Sequence, residues 1–146
     1  MAFVSVHEVN KAIIAGLTAD AAVTALLGSA PLRVFTHPRA SATMPFARLD
    51  TTPNAPVDGV MRGSPDQVFW LRRMNVQLTA FSLQTSLDNV AAIQAALANA
   101  MDKANTFTVT GGAIVMSMPG VSFCDYDENE ESSIAVLEYT LTTQST

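Results

Sequence analysis

The sequence predicts an α+β domain in which an antiparallel sheet of about four to six strands carries two helices packed on one face. Three features predict this class. Two segments, one at the start and one in the middle of the chain, place apolar residues at helical spacing. The segment from Met74 to Ala80 alternates strictly between apolar and polar residues, as a half-buried strand does. Three further strand-like segments follow the second helix, joined by turn-forming residues.

The composition supports one compact core. The chain has 146 residues, of which 49% are hydrophobic and 14% charged, so residues 1–146 are expected to form a single domain. The net charge of -5 disfavours binding of nucleic acid through its phosphates. The single cysteine, Cys124, excludes an internal disulfide and a thiolate metal cluster. No apolar run reaches the ~18 residues of a membrane span, so we expect none. Glu8, Asn10 and Lys11 interrupt the apolar residues at the start, so we expect no signal peptide.

The N-terminal helix is expected to begin at a capping-box pair, Ser5 and Glu8. A second helical piece, Ala19–Leu27, stops at Gly28, a residue suited to a left-handed C-cap. The two pieces together predict one bent helix. Its apolar positions are Val6, Val9, Ile13, Ile14 and Leu17.

The central helix is expected to begin at Thr85 or Ser86, either of which can cap it. Its apolar residues cluster on one arc at about 100° per residue, which is typical of a helix lying on a sheet. These residues are Leu87, Val90, Ile93, Leu97 and Met101.

The predicted strands are short, and turns separate them. One of the connections between them is much longer than a turn. Between Thr52 and Phe69 prolines and glycines occur without periodicity, which predicts a long irregular connection. Gly111 and Gly112 are both expected to supply positive φ angles for a two-residue hairpin turn. The strands are Leu32–Thr36, Phe46–Thr51, Met74–Ala80, Phe107–Thr110 paired with Ala113–Met118, and Ile134–Thr142. Val121–Tyr126 is expected to extend or resume the strand Ala113–Met118.

The face of the sheet away from the helices is expected to be neutral and polar. Two interpretations of this face remain open: a solvated sheet face, or a surface between subunits. Its residues are Asn75, Gln77, Thr79, Thr106, Thr108, Thr110, Thr140 and Thr142.

No residue pattern predicts catalysis or a cofactor. His7 and His37 lack a nucleophile motif, and Asp125 beside Cys124 disfavours a thiolate. The segment Gly59–Gly63 lacks the lysine and hydroxyl residue of a phosphate-binding loop. We therefore predict no catalytic, cofactor-binding or metal-binding residues.

An acidic turn precedes the last strand. Its spacing starts like a calcium loop, but Glu130 and Val136 stand where glycine and a bidentate glutamate are needed. The turn is then either a solvated loop or, in an assembly with a passage, a lining that repels DNA. The candidate lumen-facing residues are Asp125, Asp127, Glu128, Glu130 and Glu131.

Apolar and basic residues near the long connection are candidates for contact with a partner. Core-packed anchors and ordinary surface ion pairs are the alternatives. The candidates are Val60, Met61, Arg62, Phe69, Trp70, Arg72 and Arg73.

The order of these elements resembles the tail-terminator, or tail-completion, family of long-tailed bacteriophages and gene transfer agents. The resemblance runs from about Val6 to Thr143. It includes the alanine-rich central helix, the Gly-Gly hairpin and the acidic turn. The segments that carry the rest are Leu26-Leu27-Gly28, Arg33-Val34-Phe35, Pro45–Leu49 and Leu71–Leu78.

The resemblance implies a non-enzymatic virion protein at the head-proximal end of the tail, present in the host cytoplasm during assembly. Such a protein caps the tail tube as a ring, usually hexameric, ends tail polymerisation and forms the head-tail joining surface. Its implied partners are further copies of itself, the tail tube protein and the head-side connector or stopper protein, while DNA passes through without specific binding. Two alternatives remain: another neck or head-completion protein of the same particle, or a small cytoplasmic ligand-binding or enzyme domain.

Overall fold

The computed structural model describes residues 3–37, 43–53, 59–62, 68–83, 87–128 and 131–145. Within these ranges the side chains at 59–62, 68–69 and 127 are not described. The helices are α1 (Val6–Ala19), α2 (Ala21–Leu27), α3 (Asp88–Met101) and a short 3-10 helix (Ala104–Thr106). The strands are β1 (Val34–Phe35), β2 (Phe46–Pro53), β3 (Gly59–Arg62), β4 (Val68–Ser82), β5 (Thr108–Val109), β6 (Gly112–Asp127) and β7 (Ser132–Ser145).

One sheet contains all seven described strands, in the order β1-β2-β4-β7-β6-β5, and β3 pairs with the first part of β4. The predicted α+β class is confirmed. The sheet has one strand more than the upper expectation, and it is mixed, because β1 runs parallel to β2 while the other pairs are antiparallel.

The N-terminal helical pieces form close to where predicted, but as two helices and not as one bent helix, because α1 ends at Ala19 and α2 begins at Ala21. The Ser5 hydroxyl accepts a hydrogen bond from the Glu8 N–H, and the Asp20 carboxylate accepts bonds from the second and third residues of α2. The chain bends by 91° between α1 and α2, since Asp20 ends one helix and caps the next. No single described helix is long and apolar enough to cross a membrane; α1 and α2 reach that length only as this bent pair.

The core lies between the helices and one face of the sheet. Alternate residues of β4, Met74, Val76, Leu78 and Ala80, are buried beneath them, as the alternation predicted. The helices contribute Val9, Ile13, Leu17, Val90, Ile93, Leu97 and Met101.

The expectation of one irregular connection from Thr52 to Phe69 is wrong. β2 continues to Pro53, β3 occupies Gly59–Arg62, and β4 already begins at Val68. The strand β3 forms because it pairs with β4 from Gly59 opposite Leu71 to Arg62 opposite Val68. Because this strand is short and is flanked by proline and glycine, the periodicity of the sequence did not indicate it.

The hairpin from β5 to β6 forms as predicted, but glycine is required at its two turn positions for different reasons. Gly111 has φ +83°, whereas Gly112 is not among the residues with positive φ. A β-carbon on Gly112 would overlap the carbonyl oxygen of Gln144 and would lie 2.6 Å from Val4 Cγ2. Gly112 is therefore required by the close approach of β7 and Val4.

The predicted segments Ala113–Met118 and Val121–Tyr126 form one strand, β6, with irregularities between Ile114 and Met116 and between Pro119 and Ser122. The last strand is longer than predicted at both ends. The predicted caps Thr85 and Ser86 lie outside the described residues, and the residue before α3 is Leu87, which makes no side-chain cap bond.

The hydroxyl of Tyr139 ties β7 to the end of α3. It donates to the Asp102 carboxylate at 2.6 Å and lies 3.1 Å from the Ala98 carbonyl oxygen. Burial raises the pKa of Tyr139 well above its ordinary value of 10, and the hydrogen bond to Asp102 and the charge of that carboxylate add to the rise.

Tyr139→Phe is expected to lower the free energy of unfolding by about 1.5 kcal/mol at pH 7, because a charge-assisted hydrogen bond is lost. The folded-state pKa is raised, so this contribution is fully present below the unfolded pKa near 10 and fades as pH rises above it. Urea unfolding of both proteins at pH 7 and pH 11 measures the difference. An equal difference at the two pH values would contradict the linkage to this hydroxyl.

Candidate functional site

The face of the sheet opposite the helices, which we call the open face, is built from rows of paired residues. One row runs from Thr52 through Asn75 and Thr140 to Met118. Another runs from Arg48 through Thr79 and Val136 to Phe123. Because side chains alternate along each strand, members of a row point to the same side as their neighbours.

One end of the open face is aromatic. The rings of Phe46 and Phe81, which are paired across β2 and β4, stack with centroids 5.0 Å apart, and Phe35 lies 6.0 Å from Phe46. Ile134 pairs with Phe81, and Asp125 on β6 completes this row. The aromatic end therefore meets the acidic turn at the end of β6.

The middle of the open face is polar and carries charges of both signs. The Arg48 guanidinium contacts the Asp50 carboxylate at 3.1 Å. Beside this pair lies an open depression of about 370 Å³ whose lining includes Asn75, Gln77 and Glu138. The predicted polar character holds for Asn75, Gln77, Thr79, Thr140 and Thr142. It also holds for Thr108, which is exposed on β5. It was wrong for Thr106, which lies in the 3-10 helix, and for Thr110, which lies in the turn after β5.

The strand β6, which lies beyond β7 in the sheet, carries exposed apolar side chains. Five of the seven exposed large apolar side chains in the described ranges belong to it, with exposures of 47–61%. They form what we call the β6 strip: Val115, Met116, Met118, Val121 and Phe123. Within the described ranges, β5 pairs only with Gly112 and Ala113, so the strip has no strand partner on its outer side.

Sequence reasoning missed the β6 strip because irregular pairing interrupts its alternation. Met116 and Met118 face the same side as Thr142 and Thr140, their partners on β7. The extra residues at the irregularities place Val115 and Val121 in exposed positions as well. An apolar residue paired with an exposed threonine is the signal that could have identified the strip.

The predicted contact residues near the long connection do not share one surface. Trp70 and Arg72 both pack on Phe3: the two aromatic rings meet edge to face at 5.0 Å, and the guanidinium lies 4.8 Å from the Phe3 ring centre. Arg73, the next residue, is exposed and belongs to the open face. Val60, Met61, Arg62 and Phe69 lie in the β3–β4 hairpin, and their side chains are outside the described part of the structure.

The predicted acidic residues gather where β6 turns into β7. Asp125 is exposed and accepts a hydrogen bond from the Tyr126 N–H at 2.8 Å. Glu128 and Glu131 are exposed, and Glu131 has φ +49°. Asp127 ends β6 with its side chain undescribed, and Glu130 lies outside the described residues. Among the described residues, no group of three or more His, Cys, Asp or Glu side chains is arranged to hold a metal ion.

Cys124 packs against the core and donates weakly to Gln94 Oε1 at 3.5 Å. The Gln94 amide in turn donates to the carbonyl oxygens of Phe123 and Val136. This side chain of α3 therefore holds the ends of β6 and β7 in place below the β6 strip.

A sequence model of the family described as tail completion protein gp17 matches residues 11–142, from within α1 to three residues before the end of β7. The chain belongs to this family. It is accordingly a phage or gene transfer agent tail-completion protein, a structural protein of the virion tail. The resemblance found in the order of the sequence elements is confirmed.

The fold of this tail-completion chain is also similar to that of a chain in the solved virion of a native gene transfer agent particle. The TM-score is 0.68, the sequences are 15% identical, and the similarity covers 92% of each chain. No curated protein matches the sequence at a significant level.

Proposed function

We propose that this tail-completion protein caps the tail tube as a ring, ends tail polymerisation and forms the surface on which the head joins the tail. The observation that carries the proposal is the family match over residues 11–142. A structural role in the virion tail follows from that membership, and termination is the step of completion that one small domain can perform by occupying the growing end.

A ring is the form of assembly that suits this role, since a closed ring leaves a passage for DNA and stops further addition. We propose a hexamer, with the tail tube protein on one side and the head-side connector or stopper protein on the other. The net charge of -5 supports passage of DNA without retention. In the proposed ring the acidic turn, which contains Asp125, Asp127, Glu128, Glu130 and Glu131, lies at one mouth of the passage.

The β3–β4 hairpin and the adjoining part of β4 are proposed to contact a neighbouring subunit or the tube. Arg73 is the exposed cation of this region and is available for an ion pair with a partner. Trp70 and Arg72 hold Phe3 through ring contacts, and we propose that they contribute by shaping the surface.

The test is electron microscopy of particles assembled with and without the protein, with tail lengths and attached heads counted. Over-long tails without heads are expected in its absence. Tails of normal length that lack heads would instead assign the protein to another step of neck or head completion. Particles with tails of normal length and attached heads would contradict the proposal.

Complementation by variants extends the same measurement. Arg73→Glu is expected to restore fewer than about a tenth of the joined particles, because reversing a contact charge leaves two like charges facing each other. Lys103→Glu, an equal change at an exposed residue after α3, is the matched control and should restore them. Thermal melting must show both variants folded, and equal restoration by the two would contradict a contact at Arg73.

A further inference from the structure

We propose that the β6 strip of one copy docks against the opposite margin of the sheet, formed by β2 and β3, of a second copy of this chain. The joint is head to tail, so that each copy uses both margins. This inference rests on the proposed ring and names the surfaces that would close it.

The β6 strip is the first part of the argument. Its five side chains are 47–61% exposed, and burial of such residues together is the main source of free energy in an interface between subunits. A strand edge also carries backbone donors and acceptors that a second strand can satisfy. An occupant that supplies both apolar contact and a strand therefore fits this surface.

The chain itself supplies such a strand. The opposite margin of the sheet consists of β2 and β3, which lie end to end along β4, from Phe46 opposite Phe81 to Arg62 opposite Val68. In the described residues, β1 covers only Ala47 and Arg48 of this margin. The two margins thus span nearly the whole length of β4 and of β7 respectively, so one can lie along the other.

The strand directions also suit a second copy. From β2 through β4 and β7 to β6, every neighbour is antiparallel, so β2 and β6 run in opposite directions within one chain. When two copies stand side by side with the same end upward, β6 of one meets β2 of the next in antiparallel orientation. The joint therefore continues the alternation of the sheet, with the pairing that is the more stable one.

Charge agrees with this orientation. The end of β6 carries the exposed carboxylates of Asp125 and Glu128. The same end of the opposite margin carries Arg48, which is 43% exposed and contacts Asp50 at 3.1 Å. Arg33, directly before β1, is half-buried and donates to the Pro45 carbonyl oxygen. When the copies stand the same way up, these carboxylates and the guanidinium of Arg48 lie at the same end of the joint, which favours the head-to-tail arrangement.

Disulfide trapping in assembled particles tests the joint. In a Cys124→Ser background, Thr52→Cys is combined in turn with Met116→Cys, Met118→Cys or Phe123→Cys, which covers shifts in register. Thr52 and Met118 lie in one row three strand spacings apart, about 14 Å. A disulfide needs Cα atoms within about 7 Å, so any bond formed must join two copies.

The expected result is a ladder of cross-linked dimers, trimers and larger species that ends at the closed ring, from at least one pair. Each single-cysteine variant is the control and should give no ladder. Should a pair fail to fold, as judged by thermal melting, Arg48→Cys replaces Thr52→Cys. Dimers from a β6 cysteine alone, cross-links to a different protein, or no ladder from any folded pair within particles that contain the protein would each overturn the proposal.

A second variant gives an independent readout. Met118→Glu is expected to reduce incorporation into particles at least tenfold, whereas Ala95→Glu, at an exposed residue of α3 away from the sheet, should leave it unchanged. Equal incorporation of the two would overturn the joint. Tail lengths in the absence of the protein test termination separately. A ladder of cross-links together with tails of normal length would support the joint and contradict the proposed function. Over-long tails without a ladder would support the function and contradict the joint.

Discussion

Gly112→Ala is expected to lower the free energy of unfolding by roughly 3 kcal/mol and the melting temperature by about 10 °C. The new β-carbon would overlap the Gln144 carbonyl oxygen on β7 and press on the buried Val4. Neither neighbour can turn away, because one is backbone in a paired strand and the other is a branched side chain inside the core. The strands must separate locally or the hairpin must shift.

Gly111→Ala is the matched control, one residue earlier in the same turn. A β-carbon there meets nothing within 4 Å, so only the positive φ of +83° opposes it. That strain costs about 1 kcal/mol. Urea unfolding of the three proteins compares the two costs, and a larger loss at Gly111 than at Gly112 would show that turn conformation matters more than the approach of β7.

Leu141→Ala is expected to cost between about 2 and 5 kcal/mol, since the side chain is fully buried on the helix-covered face of β7. Its neighbour Thr142 lies on the open face between Arg73 and Met116. Thr142→Ala is expected to change stability by less than about 0.5 kcal/mol. The pair measures the difference between the two faces of the sheet at adjacent positions of one strand.

Equilibrium unfolding of the purified protein at several concentrations is the appropriate measurement for this pair, with far-ultraviolet circular dichroism to follow the sheet. Comparable losses for both variants would mean that the open face is also covered in solution by a second layer of protein. That outcome would be visible as a dependence of the melting temperature on protein concentration.

The parts of the fold that the sequence predicted are those in which one element is buried on one side only. β4 shows its alternation from Met74 to Ala80, and α3 shows its arc of apolar residues, because each must separate core from solvent. The Ser5 cap of α1 was predictable because the bond that it makes is local in sequence.

The parts that were not predicted depend on contacts distant in sequence. β3 is a strand because β4 lies beside it, and its four residues have too few positions to show a period. Gly112 was correctly placed in a turn, but the reason for it lies on β7 and in Val4. The parallel pairing of β1 with β2 likewise leaves no mark in a two-residue strand.

The candidate site was harder to predict than the fold. The sequence indicates Trp70 and Arg72 as candidates for contact with a partner, but in the structure both pack on Phe3. The β6 strip reads in the sequence as an ordinary core strand, because valine, methionine and phenylalanine are what a core strand contains. Only the pairing of Met116 and Met118 with threonines of β7 shows that these residues face outward.

The opposite ends of the sheet differ in chemistry, and this difference would give the proposed ring two unlike rims. One end carries the stacked rings of Phe46 and Phe81, Leu83 and the acidic turn. The other carries the Thr110-Gly111 turn, the end of β7 and the β3–β4 hairpin. Because a head-to-tail joint keeps every copy the same way up, no two-fold axis relates the rims. If one rim of the proposed ring covers the tail end, the other rim presents to the head a surface that the tube does not have.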